Sequence, residues 1–490
     1  MRVLVLNAPF HKKFSRPQRS PAVTKSGTIY FPLWLAYCAG VLEEDGFEVT
    51  LIDAPARDLT LEQVLTTIKE LSPRLVVMDV ATPSLINDLA AAEAVKKLVS
   101  QSFVVLVGTH VSALARETLS MSLSIDAVAR REYEFTVRDL ARILRKVHGR
   151  PSDSDLRSIQ GLSFTSLSGK VIQNPDRSFI KDLDQLPWVS RVYLRHLKIT
   201  DYFNPNALYP MVTMITSRGC PYRCSFCVYP QTLTGRAYRF RSIIDVVNEM
   251  EYITTSFPGV RSIFFEDDTL TAHKKRCLAL SSEIEDRGLS ITWTANSRVD
   301  LDLETMLSMR RAGCRMLCVG FESGDQQVLN AMHKGISRER MIRFMNDAKR
   351  AGLLIHGCFI FGFPGETKNS IKNTIDFALQ LNPDTAQFYP VMIYPGTEAY
   401  EEYRDKGWIT SDDFSDWLTS RGLHNCVIRN QDLEASDLVR LCDEARRKFY
   451  LRPGYIVGKL GQIVSDPAEF KRTFKAGRTF LKHLITGSRV

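Results

Sequence analysis

The chain has 490 residues and carries 44% hydrophobic and 10% aromatic residues, enough for buried cores and too many for a disordered chain. Its length predicts two or three domains. Ten cysteines are too sparse for a disulfide scaffold, and the formal charge of +9 suits an anionic partner only weakly when spread over such a length.

Residues 1–150 alternate short apolar runs with amphipathic stretches. Val3–Leu6, Glu48–Ile52, Leu75–Asp79, Phe103–Val107 and Asp126–Ala129 are predicted strands. Pro32–Glu44, Thr60–Leu71, Ile86–Ser100 and Ala113–Leu119 are predicted helices. Such alternation predicts an α/β domain with a parallel sheet covered on both faces. Ligands of these sheets sit beyond the carboxyl ends of the strands. That rule draws attention to Asn7, Ala8 and Pro9, to Thr82, to Gly108, Thr109 and His110, and to Arg131 and Glu132. The run Met1–Leu6 ends at Asn7 and is too short for a secretory leader. The longest apolar stretch, near Leu353–Phe363, is broken by His356, Gly357 and Gly362, so no membrane span is expected. A cytoplasmic setting, which keeps thiols reduced, is the expectation.

Residues 151–205 are expected to form a linker. Within it Gly161–Ser166 and Lys170–Gln173 flank Leu167-Ser168-Gly169 as a hairpin.

Directly after the apolar residues 211–216 comes Cys220-Pro221-Tyr222-Arg223-Cys224-Ser225-Phe226-Cys227. Thiolates are soft ligands suited to iron–sulfur clusters and zinc. Three on one loop can hold three irons of a cubane and leave the fourth iron open. A closed structural site wants a fourth ligand nearby, and the next candidates are His273 and Cys277. A zinc loop, or three buried structural thiols, is the plainer alternative. Beyond the loop, Ser262–Glu266, Ile291–Ala295, Met316–Phe321, Leu354–Ile360 and Thr385–Pro390 are further predicted strands. With Val212–Thr216 they make six βα units over residues 206–400, and each strand end is polar. Cys314, Cys318 and Cys358 are expected to be small buried apolar residues. His333 and His356 are expected to be structural; of the two, His356, near a strand opening, is the better candidate proton donor.

The C-x3-C-x-Phe-C loop after an apolar strand resembles that of radical S-adenosylmethionine (SAM) enzymes. The resemblance implies a partial (β/α)6 barrel in which Cys220, Cys224 and Cys227 bind a [4Fe-4S] cluster. SAM would chelate the open iron and be cleaved to a 5′-deoxyadenosyl radical. The resemblance also places Phe226, Asp267, Asp268, Asn296, Arg298, Glu322, Ser323, Gly362 and Phe363 around SAM. Residues 1–150 resemble the flavodoxin-like, Rossmann-type cobalamin-binding domain of one radical SAM subfamily. On that resemblance Asn7, Ala8, Pro9, Thr82, Gly108, Thr109, His110 and Glu132 would line a corrin. Two features stand apart. His110 lies in Gly-x-His-x-x-Ala, not the Asp-x-His-x-x-Gly that supplies an axial ligand in mutases. And Arg130-Arg131-Glu132-Tyr133-Glu134 replaces a glycine-rich turn, which leaves open a domain that serves only as a scaffold.

Residues 401–490 read as a small helical region, with one helix over Leu433–Tyr450 and another from Pro467. The second is basic and amphipathic, with Phe470, Phe474, Leu481, Leu484 and Ile485 on one side. It would pack on the barrel or rest against an anionic membrane or lipid. The resemblance implies an enzyme that methylates an unactivated carbon of a small-molecule or lipid substrate, with an electron donor such as flavodoxin or ferredoxin. Radical rearrangement, cyclisation or oxidation without methyl transfer is the first alternative. A metal-bearing nucleic-acid-binding protein is the second, though it leaves the polar strand ends unexplained and nucleic acid is not the expected partner.

Overall fold

The computed structural model describes residues 1–458. The predicted helix from Pro467 lies outside the described residues.

Two sheets organise the chain. The first has seven strands: β1 Arg2–Asn7, β2 Glu48–Asp53, β3 Leu75–Asp79, β4 Phe103–Val107, β5 Ala127–Ala129, β6 Leu162–Thr165 and β7 Val171–Gln173. Their spatial order is β2-β1-β3-β4-β5-β6-β7, and β1–β5 are mutually parallel. The order 2-1-3-4-5 is that of a flavodoxin-like domain. Every residue of β3 and β4 is buried, as a strand covered on both faces requires. The hairpin expected inside a linker is part of this sheet: β6 pairs antiparallel with β5, and β7 with β6. The sequence pattern identified the hairpin and not its partner, because pairing to β5 is non-local.

Three details differ from expectation. Asp126 stays outside β5, and its carboxylate accepts the Val104 amide at 2.7 Å. The expected helix Ala113–Leu119 is two short helices, Thr109–Ala113 and Ala115–Met121. The amphipathic helix Glu134–Lys146 was not anticipated; it buries Val137, Leu140, Ala141 and Leu144 at i, i+3, i+4 and i+7.

The second sheet contains β8 Met211–Met214. After a two-residue ribbon, β9 Ser217–Arg218 with β10 Arg239–Phe240, come β11 Ser262–Phe265, β12 Thr292–Ser297, β13 Cys314–Glu322, β14 Leu354–Phe361 and β15 Thr385–Pro390. The six long strands run parallel in the order β15-β14-β13-β12-β11-β8. Helices return between them; Arg338–Ala351 buries Met341, Phe344, Met345 and Ala348 on one stripe and stops at left-handed Gly352. An open sheet exposes edge groups. At β15 that edge is covered by the helix Ala435–Tyr450, whose Tyr450 hydroxyl bonds both the amide and the carbonyl of Ala386.

The halves meet through a continuous apolar core and a buried ionic knot. Arg218, fully buried, donates to Glu134 at 2.7 Å, lies 3.5 Å from Glu132, and stacks over Trp34 and Tyr37. Arg239 pairs with Glu132 at 2.8 Å. The charged turn Arg130–Glu134 is thus a joint between the halves. No described helix is long and apolar enough to cross a membrane.

Candidate active site

The carboxyl ends of the second sheet open into a cavity of about 720 Å³. Cys220, Cys224, Phe226 and Cys227 line it, together with Glu266, Asp268, Asn296, Arg298 and Glu322. On the opposite side it is lined by a segment of the first domain, including Arg19, Ser20 and Tyr30.

The cysteine loop leaves β9 at Gly219. There φ is +86° and a Cβ would lie 2.1 Å from the Ala237 carbonyl oxygen, so only glycine lets the backbone pass. The Gly219 amide donates to Asp268 at 2.9 Å, which ties the loop to the end of β11. All three thiols are free of disulfides. Burial pushes the Cys220 thiol up to about 11 and Cys227 up as well. Arg298 approaches Cys224 Sγ at 3.9 Å and stacks 3.6 Å from the Tyr222 ring. Among the described residues no three His, Cys, Asp or Glu side chains converge on one point as ligands of a single ion do. A cubane asks each sulfur for a different iron.

At the end of β11 the three acidic residues divide. Asp267 is fully buried and accepts from the Thr216 amide at 2.7 Å, the Thr216 hydroxyl at 2.6 Å and the Ser217 hydroxyl. Its acceptors are spent on the chain, and it does not line the cavity. Glu266 and Asp268 do, and each keeps one buried oxygen, Oε2 and Oδ1, without a hydrogen-bond donor. Burial raises the Glu266 carboxyl, and Arg19 opposes that rise. Unsatisfied buried carboxylate oxygens beside a cavity fit a cationic donor.

Glu322 sits at φ +64° and pairs with Lys334 at 2.6 Å, both buried, while Glu322 Oε2 has no donor. Gly320 makes room for this pair: a Cβ there would be 2.1 Å from Glu322 Oε1 and 2.8 Å from Lys334 Nζ.

Three residues expected around SAM stand behind the wall with Asp267. The Ser323 hydroxyl bonds Thr374 at 3.1 Å and receives the Asp325 amide, so it serves a turn. The amides of Gly362 and Phe363 both donate to buried Glu366, whose carboxyl burial raises to about 8. Gly362 is crowded by Leu438 and Ile428, and Phe363 packs edge-on behind Phe226 with centroids 5.3 Å apart. Cys318 and Cys358, expected in the core, line the cavity, whereas Cys314 is buried. His356 also lines it and bonds Thr385 at 2.8 Å; exposed His333 lies 3.7 Å from Glu398.

The residues expected at a corrin are brought to the strand ends of the first sheet, but none lines the cavity. Asn7 donates to Asp53 at 3.2 Å, Ala8 is fully buried, and the Pro9 carbonyl accepts from Asn87. Thr82 bonds buried His110 at 3.1 Å, and burial lowers His110 to about 3. Thr109 begins a short helix after Gly108, which is pressed against Asp79 and Val80. Glu132 is held by Arg239 and the Ile180 amide. Arg16 lies over these ends, buried on Asp88, and Phe414 lies against His110 at 5.0 Å. Asn7 Oδ1, Arg16 Nη1 and the Tyr133 hydroxyl are buried there without partners, so the face retains polar atoms that a ligand would meet.

Sequence reasoning missed Arg19 and Lys334. Neither lies in a motif: one reaches the cavity from another domain, the other returns after the helix Gln326–Ala331.

Comparison with known proteins agrees with this layout. Residues 214–378 match the radical SAM superfamily, and residues 19–141 match the B12 binding domain. The chain is 33% identical over 90% of its length to an uncharacterized methyltransferase of Pyrococcus horikoshii, covering 92% of that protein. It is 26% identical to the anaerobic magnesium-protoporphyrin IX monomethyl ester cyclase of Rubrivivax gelatinosus, over 87% of this chain and 74% of that one. In fold it resembles the radical SAM methyltransferase TsrM of Kitasatospora setae, with a TM-score of 0.66 at 21% identity over 83% of this chain and 76% of that one. A cobalamin-bound form of TsrM has also been solved. The chain therefore belongs to the B12-binding radical SAM enzyme family, as a cobalamin-dependent radical SAM enzyme with a [4Fe-4S] cluster and SAM as its cofactors.

Proposed function

We propose that this enzyme transfers a methyl group to an unactivated carbon of a small-molecule or lipid substrate. The observation that carries the reading is one cavity faced by three cysteines and three under-satisfied carboxylates from the barrel, and by the first domain from the other side. In this reading Cys220, Cys224 and Cys227 hold the cluster. Asp268 with Glu266 receives the SAM ammonium, and Arg298, whose Nε and Nη2 are held by Asp300 and the Lys334 carbonyl, offers Nη1 to its carboxylate. Asn296 and Glu322 face the ribose, and Phe226 shields the cluster side. The bound cofactors supply a hydrogen-abstracting radical and a methyl donor. The chain positions them and excludes water. The similarity to the Pyrococcus methyltransferase supports methyl transfer over other outcomes.

Radical cyclisation or oxidation without methylation is the second reading. It is favoured by the covered strand ends of the first sheet and by the similarity to the Rubrivivax cyclase. Like any radical SAM enzyme, the protein needs a substrate and a reductant.

Anaerobic protein loaded with iron, sulfide and cobalamin, then given SAM and a reductant, separates the two. Methyl transfer predicts S-adenosylhomocysteine alongside 5′-deoxyadenosine. Deoxyadenosine alone, with corrin bound, would overturn it in favour of the second reading.

A further inference from the structure

Arg19 belongs to the first domain, on the segment between β1 and the helix Leu33–Glu44, yet its guanidinium sits at the end of β11 in the second. Nη1 donates to Glu266 Oε1 at 2.8 Å, and Nη2 donates to the Asp267 carbonyl at 3.0 Å. Nη2 also lies 3.6 Å from Asp268 Oδ1. The neighbours of Arg19 are pinned at four separate places in the chain. Arg16 is buried on Asp88, the Pro17 carbonyl accepts the Tyr229 hydroxyl, and the Ser20 hydroxyl bonds Tyr394 at 3.1 Å and His424 at 2.9 Å. The guanidinium also lies 5.1 Å over the Tyr229 ring. A side chain anchored on both flanks is placed by the fold.

With Asp267 turned away and satisfied by Thr216 and Ser217, the charges facing the cavity at the end of β11 add simply. Glu266 and Asp268 have side chains 7% and 4% exposed, and bring two negative charges. Two buried carboxylates at one place repel each other. Arg19 cancels one charge and engages Glu266 Oε1, which leaves Glu266 Oε2 and Asp268 Oδ1 as the atoms without donors.

We propose that Arg19 is a positioning residue of the SAM site, supplied by the first domain: it neutralises one of the two carboxylates and leaves one net negative charge, matched to one α-ammonium. The inference rests on the reading of Glu266 and Asp268 as the ammonium site. Its consequence is that the barrel's SAM site is incomplete without the first domain.

The test is calorimetric titration of the cluster-loaded protein with two probes. S-adenosylhomocysteine carries the ammonium; 5′-methylthioadenosine keeps the nucleoside thioether and lacks the amino acid. Arg19→Gln should weaken the first about tenfold or more, because Glu266 loses the donor that holds its Oε1 and the two repelling carboxylates no longer keep the geometry of the ammonium site, and leave the second within about twofold. Arg19→Lys, which keeps the charge but not the fork, should fall between wild type and Gln. Equal weakening of both probes would make Arg19 a strap only and overturn the proposal. So would tighter binding of S-adenosylhomocysteine, which would make Arg19 a competitor for the site, or unchanged binding. Asp268→Asn distinguishes the layers: wild-type affinity in that variant would remove the ammonium site itself and the inference with it. Loss there with no effect of Arg19→Gln would remove only the role of Arg19.

Discussion

The two halves of this protein present the same kind of face, polar residues at the carboxyl ends of a parallel sheet, and treat it in opposite ways. In the second sheet the strand ends open into the cavity, and carboxylate oxygens of Glu266, Asp268 and Glu322 lack donors. In the first sheet Arg16 and Phe414 lie over the strand ends, Thr82 and Glu132 are bonded to the chain itself, and Asn7 donates to Asp53 and keeps one oxygen without a donor. A polar residue at a strand end is therefore not yet a ligand contact; what decides is whether its hydrogen-bonding capacity is already used.

Breaking the open face should have the largest effect. Cys227→Ser should abolish iron binding at one corner and reduce SAM cleavage more than about 100-fold, beyond the usual loss from removing a supporting residue; iron content and 5′-deoxyadenosine yield check it. Arg218→Ala attacks the joint between the faces. It strands Glu134 in the interior while Glu132 keeps Arg239, and should cost about 3–5 kcal/mol in urea unfolding monitored at both domains.

Gly320→Ala sharpens the comparison at one residue. The added Cβ overlaps the Glu322–Lys334 pair, so S-adenosylhomocysteine binding should weaken about tenfold, a cost of the size overpacking brings, while cobalamin uptake stays unchanged.

Glu366 gives a pH test. Its folded carboxyl is raised from 4.5 to about 8 by burial, so the folded chain holds a proton that the unfolded chain has released. Stability from this group is full below pH 4.5, falls as pH rises towards 8, and is level above. Glu366→Gln keeps an acceptor for Gly362 and Phe363 and should flatten that fall in melts taken across the range. The smallest effect belongs to the covered face. Thr82→Val removes the bond to His110, and should cost about 1 kcal/mol without altering S-adenosylhomocysteine affinity.

Much of this was legible in the sequence because it is local. Strand–helix alternation gave the five parallel strands of the first sheet and the six of the second, and the polar strand ends of the barrel pointed to Asp268, Asn296, Arg298 and Glu322 at the cavity wall. What stayed hidden is non-local. The pairing of β6 with β5, the reach of Arg19 across domains, and the return of Lys334 to Glu322 depend on contacts that no spacing encodes. Asp267 and Asp268 are adjacent and identical in type. Only the donors from Thr216 and Ser217 separate the structural one from the one facing the cavity.

The most direct test is metal analysis of anaerobically reconstituted protein joined to SAM turnover. The account predicts about four irons per chain and reductive formation of 5′-deoxyadenosine, both lost when Cys220, Cys224 and Cys227 are replaced together by alanine. Zinc in place of iron, with SAM left intact, would contradict it.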